Sequence, residues 1–224
     1  MEWPLVRRVK GRIGGPGAPC PRCHERPLDE AAYVYLLGQY LGDGHIAAMR
    51  RGVFCLRITM TAQYRDMIEE CRTAMGLVRS SGCRPFIQQK PGCVIVAAYW
   101  KHWPCLFPQH GKGRKHERLI RLESWQRELV SYHPELLLRG LIQSDGWRGT
   151  NPIVRRYRTS AGSVVRHYEY PRYLFTNYSG DIRGIFTRAC DLYGIKWKRS
   201  RWNTISVARR EDVQKLDRVI GLKS

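Results

Sequence analysis

Two aspartates stand at matching positions of a repeated segment, and their spacing makes them candidates for chemistry. Residues 36–44 read LLGQYLGDG and residues 138–146 read LRGLIQSDG, which places Asp43 and Asp145 at the same point of both copies, 102 positions apart. Each acid lies at the C-terminal end of a predicted helix, where the helix dipole disfavours a negative charge. Because this unfavourable position occurs twice, we expect an interaction that offsets it.

Small residues in the same segments predict that the two helices touch. Gly38 and Gly42 are four residues apart, as are Gly140 and Ser144, so each pair lies on one helix face. Contact along these faces would bring both carboxylates to the same end of the helix pair, where a divalent cation would relieve their repulsion. Mg²⁺ or Mn²⁺ bound in this way is the usual arrangement for phosphodiester hydrolysis.

Cysteine and histidine residues form a second candidate metal site. Cys20 and Cys23 have the spacing of a zinc knuckle, and His102 and Cys105 form a similarly tight pair far along the chain. These four residues could complete a tetrahedral structural Zn²⁺ site that fixes the N-terminal arm to the end of the first repeat. Three other histidines are alternative ligands: His24, His110 and His116. The competing interpretation is that the thiols pack in the core and the imidazoles lie on the surface.

The charge balance indicates a polyanionic partner. Lys and Arg number 39 against 19 Asp and Glu, which gives a net charge of +20. Residues 147–210 contain 14 basic residues, three acids and interleaved Tyr and Trp, a pattern typical of a sheet that binds nucleic acid, with an ordinary solvated surface as the alternative. The predicted DNA-binding residues are Arg155, Arg156, Arg158, Arg166, Tyr168, Tyr170, Arg172, Lys196, Lys198, Arg199 and Arg201.

The apolar content predicts a folded domain away from membranes. Hydrophobic residues make up 43% of the chain, enough for a real core, and no run of 18 apolar residues is present. The N-terminal residues are basic and rich in Gly and Pro, unlike a secretory signal. We therefore expect a cytoplasmic protein, associated with the nucleoid when bound to DNA.

The elements that position the acids also repeat. The pattern predicts an α+β half built as helix, two strands, helix, two strands and helix, occurring twice, with the first helices at about 29–42 and 134–144. Residues 56–76 align with residues 174–194 as a strand followed by a helix ending at Gly, which makes the second hairpin about 16 residues longer. Gly44 and Gly146, after the acids, suit a left-handed helix stop.

This combination resembles the single-chain, two-motif LAGLIDADG homing endonucleases. The resemblance implies two pseudo-symmetric αββαββα repeats packed through their motif helices, with two antiparallel sheets forming a saddle on double-stranded DNA. It implies a monomer that cuts a long specific target site, as in intron homing. It also implies that metal is bound beneath the scissile phosphates by Asp43, Gly42, Asp145 and Ser144.

The resemblance further implies a catalytic lysine. In the family this residue lies in a Gly/Lys-rich turn after the fourth strand, which corresponds here to residues 110–116. Lys115 is the first choice and Lys112 the second, and Lys223 is the symmetric candidate in the second half. Each of these lysines has an alternative role as a contact to the phosphate backbone.

The predicted organisation is a basic N-terminal arm at 1–27, a first repeat at 28–132 and a second repeat at 133–224. The function we favour from the sequence is site-specific double-strand DNA cleavage. The alternative is a non-cleaving LAGLIDADG-type DNA-binding regulator or an RNA-binding intron-splicing factor. Retention of both Asp43 and Asp145 favours the nuclease, because a pure binder would not need them.

Overall fold

The structure is a computed structural model that describes residues 15–79, 84–159 and 162–221. None of the helices within these ranges is long and apolar enough to cross a membrane. The helices are α1 Glu30–Asp43, α2 Arg65–Arg79, α3 Trp103–Leu106, α4 Ser124–Tyr132, α5 Pro134–Asp145, α6 Gly180–Leu192 and α7 Arg210–Ile220. The strands are β1 Gly44–Ala48, β2 Phe54–Thr61, β3 Phe86–Lys90, β4 Cys93–Trp100, β5 Gly146–Thr159, β6 Gly162–Thr176, β7 Lys198–Arg201 and β8 Thr204–Val207.

The strands form two four-stranded antiparallel sheets with the same topology. Their orders are β1-β2-β4-β3 and β5-β6-β8-β7, so each repeat contributes one sheet. In each half a helix precedes the first strand pair and another helix separates the two pairs. This arrangement confirms the predicted α+β fold of two pseudo-symmetric repeats.

Helices α1 and α5 pack against each other at the centre of the molecule. Asp29 caps α1 by accepting a hydrogen bond from the Ala32 amide at 2.9 Å, and the ten residues that follow Ala31 are buried. A Cβ atom added at Gly38 would lie 2.6 Å from the carbonyl oxygen of Leu137 and 2.9 Å from the Cα of Gly140. The two backbones therefore touch at the predicted small residues, which confirms the predicted packing.

The strand register corrects the sequence alignment of the two halves by one residue. Gly44 pairs with Ile58 in the first half, and Gly146 pairs with Phe175 in the second. Ile58 therefore corresponds to Phe175, whereas the alignment matched it with Thr176. Ile58 and Phe175 are both buried in the core, and a shift of one residue would turn either side chain to the opposite face of its sheet.

The glycines after the acids correct a second expectation. Gly44 has φ −84° and Gly146 has φ −98°, so both are extended rather than left-handed. They are required for space, because a Cβ at Gly44 would lie 2.7 Å from the carbonyl oxygen of Tyr40, and one at Gly146 would lie 2.5 Å from that of Ile142. The chain thus leaves each helix directly into a strand.

Helices α2 and α6, which separate the two strand pairs of each half, end in different ways. Helix α6 ends at Leu192 and is followed by Gly194 at φ +69°, as a C-terminal glycine predicts. Helix α2 continues past Gly76 to Arg79, so the predicted end at Gly76 is wrong. Apolar side chains explain the extension, because Met75 and Val78 are buried on both sides of that glycine.

The longer second hairpin is a two-stranded ribbon that projects from its sheet. Strands β5 and β6 pair from Gly146 and Phe175 outward to Thr159 and Gly162, but β8 covers β6 only between residues 173 and 176. The outer part of the ribbon is exposed on both faces. This confirms the predicted lengthening of the second hairpin.

Candidate active site and nucleic-acid-binding face

The two motif acids emerge side by side where helices α1 and α5 end. A Cβ atom added at Gly42 would lie 3.1 Å from Asp145 Oδ2 and in steric overlap with the Ser144 side chain, so the last turns of the helices are in contact. Asp43 is exposed and Asp145 is half-buried. The predicted convergence of the acids is therefore present, and it depends on the small residues before them.

A buried polar network fixes the helix pair just below the acids. Tyr35 donates its hydroxyl hydrogen to Gln143 Oε1 at 2.7 Å, and the Gln39 amide donates to the same oxygen at 2.8 Å. The Gln143 amide in turn donates to Glu70 Oε2 on α2 at 3.1 Å. A buried amide without a hydrogen-bond partner is costly, so the helices cannot slide along each other without breaking these bonds. The network therefore fixes the relative position of the helices.

Lys115 lies against the C-terminal end of α1. Its Nζ donates hydrogen bonds to the carbonyl oxygens of Tyr40, Leu41 at 3.1 Å and Gly42 at 2.7 Å. These carbonyls carry the negative end of the helix dipole, and the neighbouring Asp43 adds a full negative charge. The positive charge of Lys115 thus offsets the unfavourable position of Asp43 at the end of the helix.

The surroundings of Lys115 lower its pKa. The pKa of Lys115 is lowered to about 8: burial has the largest effect, the negative charges of Asp145 and Asp43 oppose it, and the positive charge of Arg118 adds to it. Both motif acids therefore lie within electrostatic reach of this one ammonium group. At pH 7 the protonated form predominates, which agrees with three N–H donors directed at three carbonyl oxygens.

The loop that carries Lys115 is held by polar contacts on both sides. Lys115 begins a 3₁₀ turn, Lys115–Glu117, and the next residue, Arg118, donates to the Gln109 carbonyl oxygen. The Gln109 amide donates to the Arg121 carbonyl oxygen at 2.7 Å, and to Gln126 on α4 at 2.5 Å. The family resemblance pointed to this lysine, but these contacts are seen only in the structure.

The other predicted site residues have different positions. Lys112 is exposed on the same loop, and Lys223 lies outside the described residues. The carbonyl oxygen of Gly42 already accepts from Lys115, and the Ser144 hydroxyl turns back onto its own helix, donating to the Gly140 and Leu141 carbonyl oxygens at 3.0 Å. Of the two candidate lysines within the described residues, Lys115 is the one that lies near the acids.

Two residues at this site escaped the sequence analysis. The Asn177 amide donates to Asp145 Oδ2 at 2.7 Å, and so orients that carboxylate from the end of β6. His45 follows Gly44 directly, and its pKa is lowered by burial and by the nearby charges of Arg57, Lys115 and Arg118. Asn177 reaches the site only through the fold, and His45 stands next to the motif without any pattern that marks it.

The ribbon places part of the predicted basic surface on a single face. Arg155 pairs with Arg166 across the ribbon, so both side chains lie on the same face, as do Tyr168, Tyr170 and Arg172 at intervals of two residues along β6. Tyr157 lies on this face as well, with the Arg166 guanidinium 5.9 Å from its ring centre. Arginines thus alternate with aromatic rings along the face.

The remaining predicted DNA-binding residues divide between two faces. Arg156 and Arg158 lie on the opposite face of the ribbon from Arg155, although that face is also exposed. In the second sheet Lys198 pairs with Ser206, while Arg199 lies on the other face and donates to the Trp202 carbonyl oxygen at 2.8 Å. Further basic residues stand at this end of the sheet: Lys196, exposed in the loop before β7, and Arg201, exposed at the end of β7.

The first sheet contributes its own groups on the face away from the helices. Arg57 pairs with His45, and Lys90 ends β3 on the same face as Phe86. Phe86 stacks on Tyr99 with ring centres 5.4 Å apart. This face is less basic than the ribbon. The sequence pattern did not predict that these residues would share a face.

The four predicted zinc ligands also come together. Cys20, Cys23, His102 and Cys105 place one potential ligand atom each within 4.8 Å of all the others. This cluster lies between the segment of residues 15–27 and α3. None of its four members belongs to the repeated segments that contain the two acids.

Comparison with solved structures identifies the fold class. The chain is similar to I-DmoI in complex with DNA and Ca, with 16% identity, 85% of this chain and 89% of that chain covered, and a TM-score of 0.50. It is also similar to a mesophilic variant of the homing endonuclease I-DmoI, with 13% identity, 86% and 97% covered, and a TM-score of 0.50. The chain therefore has the LAGLIDADG homing-endonuclease fold. No protein-family model and no curated protein matches it in sequence.

Proposed function

We propose that this protein is a site-specific double-strand DNA endonuclease that hydrolyses phosphodiester bonds with a divalent metal held by Asp43 and Asp145. One observation carries the proposal: two helices in backbone contact end together in two carboxylates beside a half-buried lysine. A fold can serve many functions, so the argument rests on this site rather than on the fold alone.

The donor set suits Mg²⁺ or Mn²⁺. Carboxylate oxygens are hard ligands, and these metals commonly bind to one or two of them together with substrate phosphate oxygens. When bound, such a metal activates water and neutralises charge on the phosphate that is attacked. I-DmoI, which shares this fold, has been solved with DNA and Ca, and this supports a divalent cation as the cofactor.

The chain's own residues would supply position and charge. Asn177 fixes the Asp145 carboxylate through its hydrogen bond to Oδ2. Lys115 holds a positive charge at the end of α1, close enough to both acids to be influenced by them. A preorganised cation there would stabilise the negative charge that develops during phosphodiester hydrolysis.

The DNA would lie on the faces of the two sheets that point away from the helices. The ribbon offers arginines for phosphate and base contacts and tyrosines for stacking. A two-stranded ribbon exposed on both faces has little stability of its own, so contact with a large partner accounts for its length. Since one chain provides both sheets and both acids, we propose that it acts as a monomer.

The test is cleavage of a DNA library whose sequences are not known in advance. Purified protein is incubated with randomised duplexes and Mg²⁺, and the newly formed ends are sequenced. We expect ends that converge on one long recognition sequence and that disappear when EDTA is added. Enrichment of one sequence by binding, without any cut in Mg²⁺ or Mn²⁺, would contradict the nuclease and support the non-cleaving DNA-binding regulator.

A further inference from the structure

Four side chains of the kind that bind zinc meet where residues 15–27 cross α3. Cys23 Sγ lies 3.3 Å from His102 Nδ1 and 3.5 Å from Cys105 Sγ, and Cys105 Sγ lies 3.8 Å from His102 Nδ1. Cys20 completes the group, with all four donor atoms within 4.8 Å of one another. Two of its members, Cys23 and Cys105, are 82 residues apart in sequence.

These separations match the edges of a zinc tetrahedron. With Zn–S of about 2.3 Å and Zn–N of about 2.0–2.1 Å, neighbouring donors lie about 3.8 Å apart for two sulfurs and about 3.5 Å for sulfur and nitrogen. The distances around Cys23, Cys105 and His102 fall close to these values. A disulfide would need the Cys23 and Cys105 sulfurs at about 2.05 Å instead.

The surroundings select these four ligands over the alternatives. The Arg22 amide points at Cys20 Sγ at 3.4 Å, which is the kind of contact that stabilises a thiolate. His24 is already used, because its Nδ1 accepts a hydrogen bond from the Cys20 amide at 3.1 Å. Neither His110 nor His116 belongs to the cluster, so His102 supplies the nitrogen ligand.

We propose that Cys20, Cys23, Cys105 and His102 bind one Zn²⁺ in a closed, structural site. Three thiolates and an imidazole are donors that zinc prefers over Mg²⁺, and four protein ligands leave no open position for water or substrate. The site is therefore separate from the carboxylate pair and independent of whether the protein cleaves DNA.

The ion fastens the segment of residues 15–27 to the part of the chain that leads to Lys115. Hydrogen bonds already hold this segment, among them those from Trp100 Nε1 to the Ala18 carbonyl oxygen at 2.9 Å and from the Lys101 amide to that of Pro16 at 2.9 Å. Immediately after Cys105, the Leu106 carbonyl oxygen accepts from the Tyr33 hydroxyl on α1 at 2.7 Å. Zinc bound at Cys105 therefore also stabilises the neighbouring backbone that holds α1 in place.

The test measures metal content and stability without DNA. Protein purified without added metal is analysed for zinc and iron, and its thermal unfolding is followed with and without a chelator. We expect about one zinc per chain, a lower Tm after chelation, and a thiolate-to-metal absorption band after replacement by Co²⁺. Cys23→Ser should lose the metal and the chelator effect, because Cys23 is an exposed thiol with little packing role.

Cys93→Ser is the matched control, since Cys93 is also a free thiol but lies at the start of β4, outside the cluster. It should keep the zinc and the chelator sensitivity of the wild type. A metal-free wild type whose Tm is insensitive both to the chelator and to Cys23→Ser would overturn the proposal. So would iron in place of zinc, or a Cys23–Cys105 disulfide under non-reducing conditions.

Discussion

Lys115, on the loop after the first sheet, lies at the end of α1 within electrostatic reach of both motif acids. If it stabilises charge during hydrolysis, Lys115→Met should lower the cleavage rate by about 100- to 1,000-fold while DNA affinity changes little. Lys112→Met is the matched control, because Lys112 is exposed on the same loop. Single-turnover cleavage of the selected target measures both variants. Equal losses for the two variants would reduce Lys115 to one more phosphate contact.

Burial of Lys115 also predicts a pH dependence of stability. The pKa of this lysine is lowered from 10.5 to about 8 in the folded protein, so between these values the unfolded chain binds the proton and the folded chain does not. The free energy of unfolding of the wild type, relative to Lys115→Met, should therefore rise with pH across this window by up to about 3 kcal/mol. Chemical denaturation at several pH values measures the difference. Parallel curves for the two proteins would contradict the lowered pKa.

The residues of the site differ in how far the sequence revealed them. Asp43 and Asp145 could be found because a repeated segment placed both at the end of a helix. Lys115 was found through family resemblance, and its carbonyl contacts came only with the structure. Asn177 is far from the motifs in sequence and reaches Asp145 only because it follows β6, whereas His45 is adjacent to the first motif but has no pattern that marks it.

The site depends on the contact between helices α1 and α5. Gly38→Ala should lower the free energy of unfolding by about 1–3 kcal/mol, because the new methyl group overlaps the backbone of α5 and the helices must separate. Denaturant titration measures the change, and cleavage should fall with it as the acids move apart.

Gly184→Ala is the control for helix propensity. Gly184 lies in α6, and an added Cβ there meets no atom within 4 Å. This change should stabilise the protein by about 0.5–1 kcal/mol, since alanine favours a helix over glycine. If Gly38→Ala were stabilising as well, the close approach of the two helices would be wrong.

At the level of elements the repeat predicted the order of helices and strands, but not their exact register. Periodicity shows that Ile58 and Phe175 belong to strands, yet a shift of one residue leaves an alignment of short motifs almost as good. Likewise, a glycine after a helix has two uses. Gly194 adopts a positive φ, whereas Gly44 is extended and provides room for Tyr40.

For the whole molecule, charge and shape together predict the binding surface. Arg155 and Arg166 face each other across the ribbon, and replacing both with Ala should weaken DNA binding. If they hold phosphates, the loss should be equal on specific and random duplexes, and the salt dependence of log K should shallow by about one for each contact. If they read a guanine edge, about 1–3 kcal/mol should be lost on the specific duplex alone.

Arg188→Ala is the matched control for this loss, because Arg188 is exposed on α6, a helix outside the two sheets. Its affinity for both duplexes should equal that of the wild type. Unchanged affinity after loss of Arg155 and Arg166 would remove the ribbon from the interface.

The central claim is that the paired acids at the ends of α1 and α5 carry out hydrolysis. The most direct measurement is the Mg²⁺-dependent cleavage rate of the double variant Asp43→Asn and Asp145→Asn on the selected target, with binding measured in the same preparation. The exposed Asp66→Asn on α2 serves as the control. We expect hydrolysis to fall by about 1,000-fold or more in the double variant while DNA binding survives. Cleavage by the double variant at the wild-type rate would contradict the central claim.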